Sequence, residues 1–155
     1  FLVDKGYQQP PYTTSKELLD YIRAEAGPQH EQLIVDLFEK ISFYDNRVVE
    51  AKAVKRADGK YEVTLDLIAA KRYSDGLGKE TDAAVDDWIE VGIFARDAGA
   101  DSDQKVLYLE RKHITEGAPK LTVVVDEEPS EAGFDPYNKL IDRVPADNRR
   151  RVEML

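Results

Sequence analysis

Ala57-Asp58-Gly59-Lys60-Tyr61-Glu62-Val63-Thr64-Leu65-Asp66-Leu67 is the stretch that decides the fold class. Tyr61, Val63, Leu65 and Leu67 fall on one side of an extended chain, and Glu62, Thr64 and Asp66 on the other. A period of two is that of a half-buried strand. Asp58-Gly59 just before it is a hairpin signal, since Gly takes the positive φ of a tight turn at no steric cost. Upstream, Val48 to Arg56 alternates well enough to be the partner strand. Downstream, Ser74-Asp75-Gly76-Leu77-Gly78 breaks the run. Trp88 to Ala95 is expected to be a third strand, apolar on both faces around Val91 and Ile93 and therefore central. Trp88 is its expected aromatic anchor. Val106 to Ile114 and Leu121 to Asp126 follow as a fourth and a fifth, the last bounded by Gly117-Ala118-Pro119 and Pro129.

Short strands joined by turns, with no helix between them to make a parallel crossover, predict an antiparallel sheet architecture. The expected fold is mainly β: an antiparallel β-sandwich of immunoglobulin-like or prealbumin-like kind, preceded by an N-terminal helical hairpin.

Ahead of Asn46 the period is helical. Thr14 and Glu17 have capping-box spacing, and Leu18, Leu19, Ile22 and Ala26 follow as an apolar stripe. Gly27-Pro28 ends that helix and starts the next. A second stripe of Leu33, Ile34, Leu37, Phe38 and Ile41 is expected to run to Tyr44-Asp45-Asn46 as its stop. The predicted organisation is an extended lead-in over 1–13, the hairpin over 14–46, and the sandwich with an irregular C-terminal tail over 47–155.

Composition narrows the function classes. The 155 residues are 42% hydrophobic and 34% charged, enough for one domain with a solvated surface. A net charge of −9 argues against a general nucleic-acid or anionic-membrane binder, which needs a positive field. Arg149-Arg150-Arg151 is too short to reverse this and is read as a frayed end. With no cysteine there is no disulfide, thiolate nucleophile or Cys-based zinc site. No apolar run approaches a membrane span, so no membrane insertion by this segment is expected. No signal peptide is visible, and a start at Phe1 suggests a piece of something longer.

The search for catalytic chemistry finds little. His30-Glu31 opens like a zinc-peptidase helix, but Ile34 stands where the second histidine is needed. His113 lies on a strand with no acidic or histidine neighbour at ligand spacing. Asp101-Ser102-Asp103 and Ser74-Asp75-Gly76 carry calcium-type oxygens without the full ligand loop, and are read as Asx turns. Asp86-Asp87 and Asp126-Glu127-Glu128 are read as solvated strand ends. No phosphate loop, nucleophile elbow or triad pattern is present, and the aromatic residues are not interleaved with Lys or Arg as a single-strand platform requires. No catalytic, cofactor-binding or metal residue is assigned.

Gly133-Phe134-Asp135-Pro136-Tyr137-Asn138-Lys139-Leu140-Ile141-Asp142-Arg143 has no helical or strand period, yet is too apolar for a disordered end. It is expected to fold back over an edge or open end of the sandwich and bury Phe134 and Tyr137. Asp135 should be extended before proline, and Asn138 should close a turn.

That segment, with Leu18-Leu19-Asp20-Tyr21-Ile22-Arg23, Leu37-Phe38-Glu39-Lys40-Ile41, Tyr44-Asp45-Asn46-Arg47, Asp58 to Leu65, Lys79-Glu80-Thr81 and Asp87 to Phe94, resembles one family. The likeness, over about residues 14–150, is to the C-terminal end of large bacterial membrane proteins. These join an ABC-transporter-type permease region to a zinc aminopeptidase of the aminopeptidase N (gluzincin) family. The resemblance implies an accessory role, completing, shielding or docking the peptidase domain of the same polypeptide. Zinc would then belong to the parent peptidase domain, with no cofactor in this chain. The parent would tether this domain to the bacterial cell membrane. Phe134, Pro136, Tyr137, Asn138 and Arg143 become the candidate interdomain contacts. The alternative is a free-standing β-sandwich module that binds a protein or peptide through its sheet. An enzyme with an unrecognised carboxylate site is the third reading.

Overall fold

The computed structural model describes residues 1–6, 10–96 and 104–155, which divide into two units, Phe1–Ile41 and Ser42–Leu155. In the first unit α1 (Leu2–Lys5) places a helical turn in the lead-in, which is therefore not extended throughout. α2 (Ser15–Ala26) starts at the expected capping box: Thr14 Oγ1 accepts from Glu17 N at 3.3 Å, and Glu17 Oε2 accepts from Thr14 N at 2.8 Å. Gly27 turns the chain at φ 79°, the 3-10 turn Pro28–His30 follows, and α3 (Glu31–Phe38) completes the unit. Arg23 ties these pieces together, bonding Glu31 at 3.1 Å and Glu39 at 2.6 Å.

The predicted boundary at residue 46 is displaced. Ile41 opens β1 (Ile41–Lys55), and Tyr44-Asp45-Asn46 lies inside that strand instead of stopping a helix. The inward row here is Ser42, Tyr44, Asn46 and Val48, then the phase slips at Val49-Glu50 and continues through Ala51 and Ala53. Polar residues at inward positions hide a strand from hydrophobic periodicity. Other chain segments tie this stretch down: Tyr44 Oη donates to Asp87 Oδ1 at 3.1 Å, Tyr44 N donates to Ile141 O at 2.9 Å, and Asn46 N donates to Asp142 Oδ2 at 2.7 Å.

β2 (Tyr61–Ser74) follows the predicted hairpin, with Gly59 at φ 85° and Arg56 N bonded to Lys60 O at 2.8 Å. β3 (Glu80–Ala83), β4 (Asp87–Ala95), β5 (Lys105–Ile114), β6 (Lys120–Val125), β7 (Glu131–Phe134), β8 (Arg149–Arg151) and β9 (Glu153–Met154) complete the unit. One sheet runs β3-β2-β1-β9 with β6 also on β2, and the other runs β5-β4-β7-β8. The pairs of the second sheet are antiparallel, whereas β9 joins β1 in parallel. Val63, Leu65 and Leu67 of the first sheet meet Ile89, Val91, Ile93 and Phe134 of the second in one core. Each such side chain contributes about 1.5–3 kcal/mol on burial. The fold is a β-sandwich, as expected, with β4 internal to its sheet.

The C-terminal segment is more regular than expected. Arg149–Arg151 is not frayed: it pairs with β7, and the chain then crosses to the other sheet, where Leu155 N bonds Ala53 O at 2.9 Å. Among the described residues no helix is long and apolar enough to cross a membrane.

Candidate functional site

Strand parity builds the outer face of the second sheet. On β4, Ile89, Val91 and Ile93 point into the core, so Trp88, Glu90, Gly92 and Phe94 belong to the opposite face. The register sets His113 opposite Trp88, Arg111 opposite Glu90 and Leu109 opposite Gly92. Trp88 is therefore not the core anchor. It is 64% exposed and stacked on the His113 ring, with centroids 5.0 Å apart and planes 12° from parallel. His113 Nε2 lies 2.5 Å from Asp86 Oδ1, a carboxylate brought from the end of the neighbouring strand. Trp88→Ala is expected to leave the melting temperature within a few degrees of wild type, because little buried area is lost. A drop of 10 °C or more would show that the indole holds the fold.

Further along this face, Glu90 Oε1 meets Lys139 Nζ and, at 3.7 Å, Arg111 Nε. Beyond Glu90, Phe94 lies across Gly92 and under the tail. A Cβ at Gly92 would sit 2.6 Å from Phe94, and one at Gly133 would sit 2.6 Å from Pro136. Both glycines are thus required by close approach. Tyr137 packs its edge on Phe94 at 6.2 Å, and the Arg149 guanidinium covers the same ring at 4.5 Å.

Asp135 organises the turn that lays the tail down. It is buried, with φ 51°, in the left-handed region and not extended. The bias of a residue before proline is overcome because Asp tolerates that region and its carboxylate is satisfied there. Asp135 Oδ1 accepts from Lys139 N at 3.0 Å and Oδ2 from Leu140 N at 2.9 Å. Asn138 closes the turn through its backbone, its N donating to Asp135 O at 3.0 Å. Amide exchange should therefore be slow at Lys139 and Leu140; exchange there at random-coil rates would mean the turn does not persist.

The five candidate contacts divide accordingly. Phe134 is fully buried in the core and Pro136 in the glycine cradle, so neither can meet a partner. Arg143 lies over the Phe43 ring at 4.4 Å and bonds Glu80, whose carboxyl it holds below the ordinary glutamate range. Tyr137 is not buried as expected: it remains 48% exposed. Tyr137, Asn138 and Arg143 are the three that stay on the surface.

The other sequence candidates also resolve. Asp86 and Asp87 are not a solvated pair. Asp87 is buried with Lys71, whose Nζ lies 3.0 Å from Asp87 Oδ2, and Tyr44 Oη donates to Asp87 Oδ1 at 3.1 Å. This buried cluster escaped periodicity, although Lys71 continues the inward row from Tyr61 to Ala69. Asp75 Oδ1 serves a turn, accepting from Leu77 N and Lys79 N, and His30 is exposed at the end of its 3-10 turn. Asp126 pairs with Lys60 at 2.7 Å, and Glu127 pairs with Lys105. Asp101-Ser102-Asp103 lies outside the described residues. Among the described residues no group of three or more His, Asp or Glu is placed to hold a metal ion.

A buried polar cluster underlies the tail. Asp142 Oδ2 accepts from Asn46 N, and Asn148 is fully buried beside it, where an amide nitrogen turned toward Asn46 O and Asp142 Oδ2 would donate to both. Asp147 is nearby; burial pushes its carboxyl up, with Arg47 opposing and Asp142 and Asp45 adding to the rise. A raised folded-state pKa stabilises the fold at low pH, and that contribution is lost as pH rises through it. Asp147→Asn should therefore melt above wild type at pH 7, with the gap closing toward the ordinary aspartate range. A gap that does not narrow would remove Asp147 as its source.

No protein-family model matches the chain, and neither curated proteins nor solved structures match it.

Proposed function

We propose that this chain is a non-catalytic accessory domain of a membrane-associated zinc aminopeptidase, supporting or docking the peptidase of the same polypeptide. The identity of the partner comes from the sequence resemblance. The observation that carries an accessory role is the first unit's unfilled apolar surface. Leu33, Leu37 and Phe38 of α3 are 46%, 58% and 56% exposed, and α2 buries no residue fully. Three large apolar side chains left exposed on one short helix mark a contact surface that a larger helical region would cover. The parent would tether the domain to the membrane, and zinc would reside in the peptidase.

The test is to read the coding sequence ahead of Phe1 and express the parent with Leu37→Asp and Phe38→Asp. A peptidase upstream, retaining zinc but melting at lower temperature in the double variant, is the expected result. A parent without a peptidase would overturn the reading. The alternative, a module binding a separate protein or peptide through its sheet, is favoured by the exposed Trp88–His113 stack, since Trp dominates binding hot spots.

A further inference from the structure

We infer that the Trp88–His113–Asp86 cluster is a contact site for a cationic side chain, an arginine carried by a basic segment of a partner protein. The inference rests on the reading of this sheet face as a protein contact, whether the partner is the same polypeptide or another chain. One face of the indole is covered by His113, yet Trp88 keeps 64% of its surface open, so the exposed area belongs mainly to the other face and the ring edge. An indole face attracts cations through its quadrupole, and guanidinium stacks on it with little dehydration.

The surrounding charges point the same way. The β5 cations next to His113 in the chain already have carboxylates: Lys112 with Glu110 at 2.9 Å and Arg111 with Glu90 at 3.7 Å. Asp86 differs. Its side chain is 63% exposed and, among the described residues, its one side-chain partner is His113. An open indole face and, two residues before it in the chain, a carboxylate without a Lys or Arg suit a basic segment whose guanidinium groups stack on the one and bond the other. The net charge of −9 steers basic segments toward the chain as a whole. The cluster then selects where such a segment seats its arginine.

Trp88 is the single tryptophan, so its fluorescence reports this site alone. The probes are N-acetyl tri-arginine amide and the same peptide with citrulline in place of each arginine. The arginine peptide should change Trp88 emission saturably, and added salt should weaken it. Asp86→Asn should lower its affinity about two- to fivefold, whereas Asp126→Asn, just past β6 of the other sheet, should not. Equal binding of the citrulline peptide, an unaltered affinity in Asp86→Asn, or no saturable change would each overturn the inference. Saturation by a neutral oligosaccharide instead would also overturn it, making the stack a sugar platform. None of these outcomes depends on a peptidase lying upstream.

Discussion

Asp87→Ala is expected to destabilise the sandwich by about 3–5 kcal/mol, the range for removing one partner of a buried ion pair. The side chains of Lys71 and Asp87 are 1% and 9% exposed, so truncating the carboxylate takes away the counter-charge that a buried ammonium meets at 3.0 Å. Tyr44 Oη also loses its bond to Asp87 Oδ1. The large cost belongs to stripping a buried ammonium of its Asp87 carboxylate and is not the net worth of the pair. Lys71→Met combined with Asp87→Leu should therefore recover most of the loss. Denaturant melts of the single and double variants decide it. If the double variant is as unstable as Asp87→Ala, shape and not charge is what the cluster supplies.

Phe134→Ala should cost a similar amount, about 3–5 kcal/mol, as for large-to-small changes in packed cores. The side chain is fully buried, in register with Val91 and in the core shared by both sheets. For a domain of this size the melting temperature should fall on the order of 10 °C. Tyr137→Ala, three residues on, should cost far less, because that ring is half exposed and meets Phe94 only at an edge. Near-equal losses would mean that the tail, and not the core, governs stability.

Much of the sandwich was legible from period alone. Tyr61 to Leu67 reports its facing directly, because an alternating strand with one buried face has a single register that hides its apolar row. The capping box at Thr14 and the turn at Gly59 are equally local. The elements missed are those whose stabilising partners lie far away in the chain. Tyr44-Asp45-Asn46 reads as a stop because nothing local shows that Ile141, Asp142 and Asp87 will be brought beside it to bond the Tyr44 and Asn46 backbone N–H groups and the Tyr44 hydroxyl. β7, β8 and β9 are too short to show a period, and pairing across the sheets is what orders them.

The candidate site follows the same division. Parity within β4 already separates Trp88 from Ile89, Val91 and Ile93, but the apolar character of the indole argued for burial. Local sequence therefore determined the helices, the hairpins and the inward row. The tertiary structure decided which polar groups could be buried, which aromatic ring stayed outside, and which residues Asp86 and Asp87 would meet. Periodicity records how each residue is turned relative to its chain neighbours. Burial of charge and exposure of aromatic surface depend on what the other strands bring to that face.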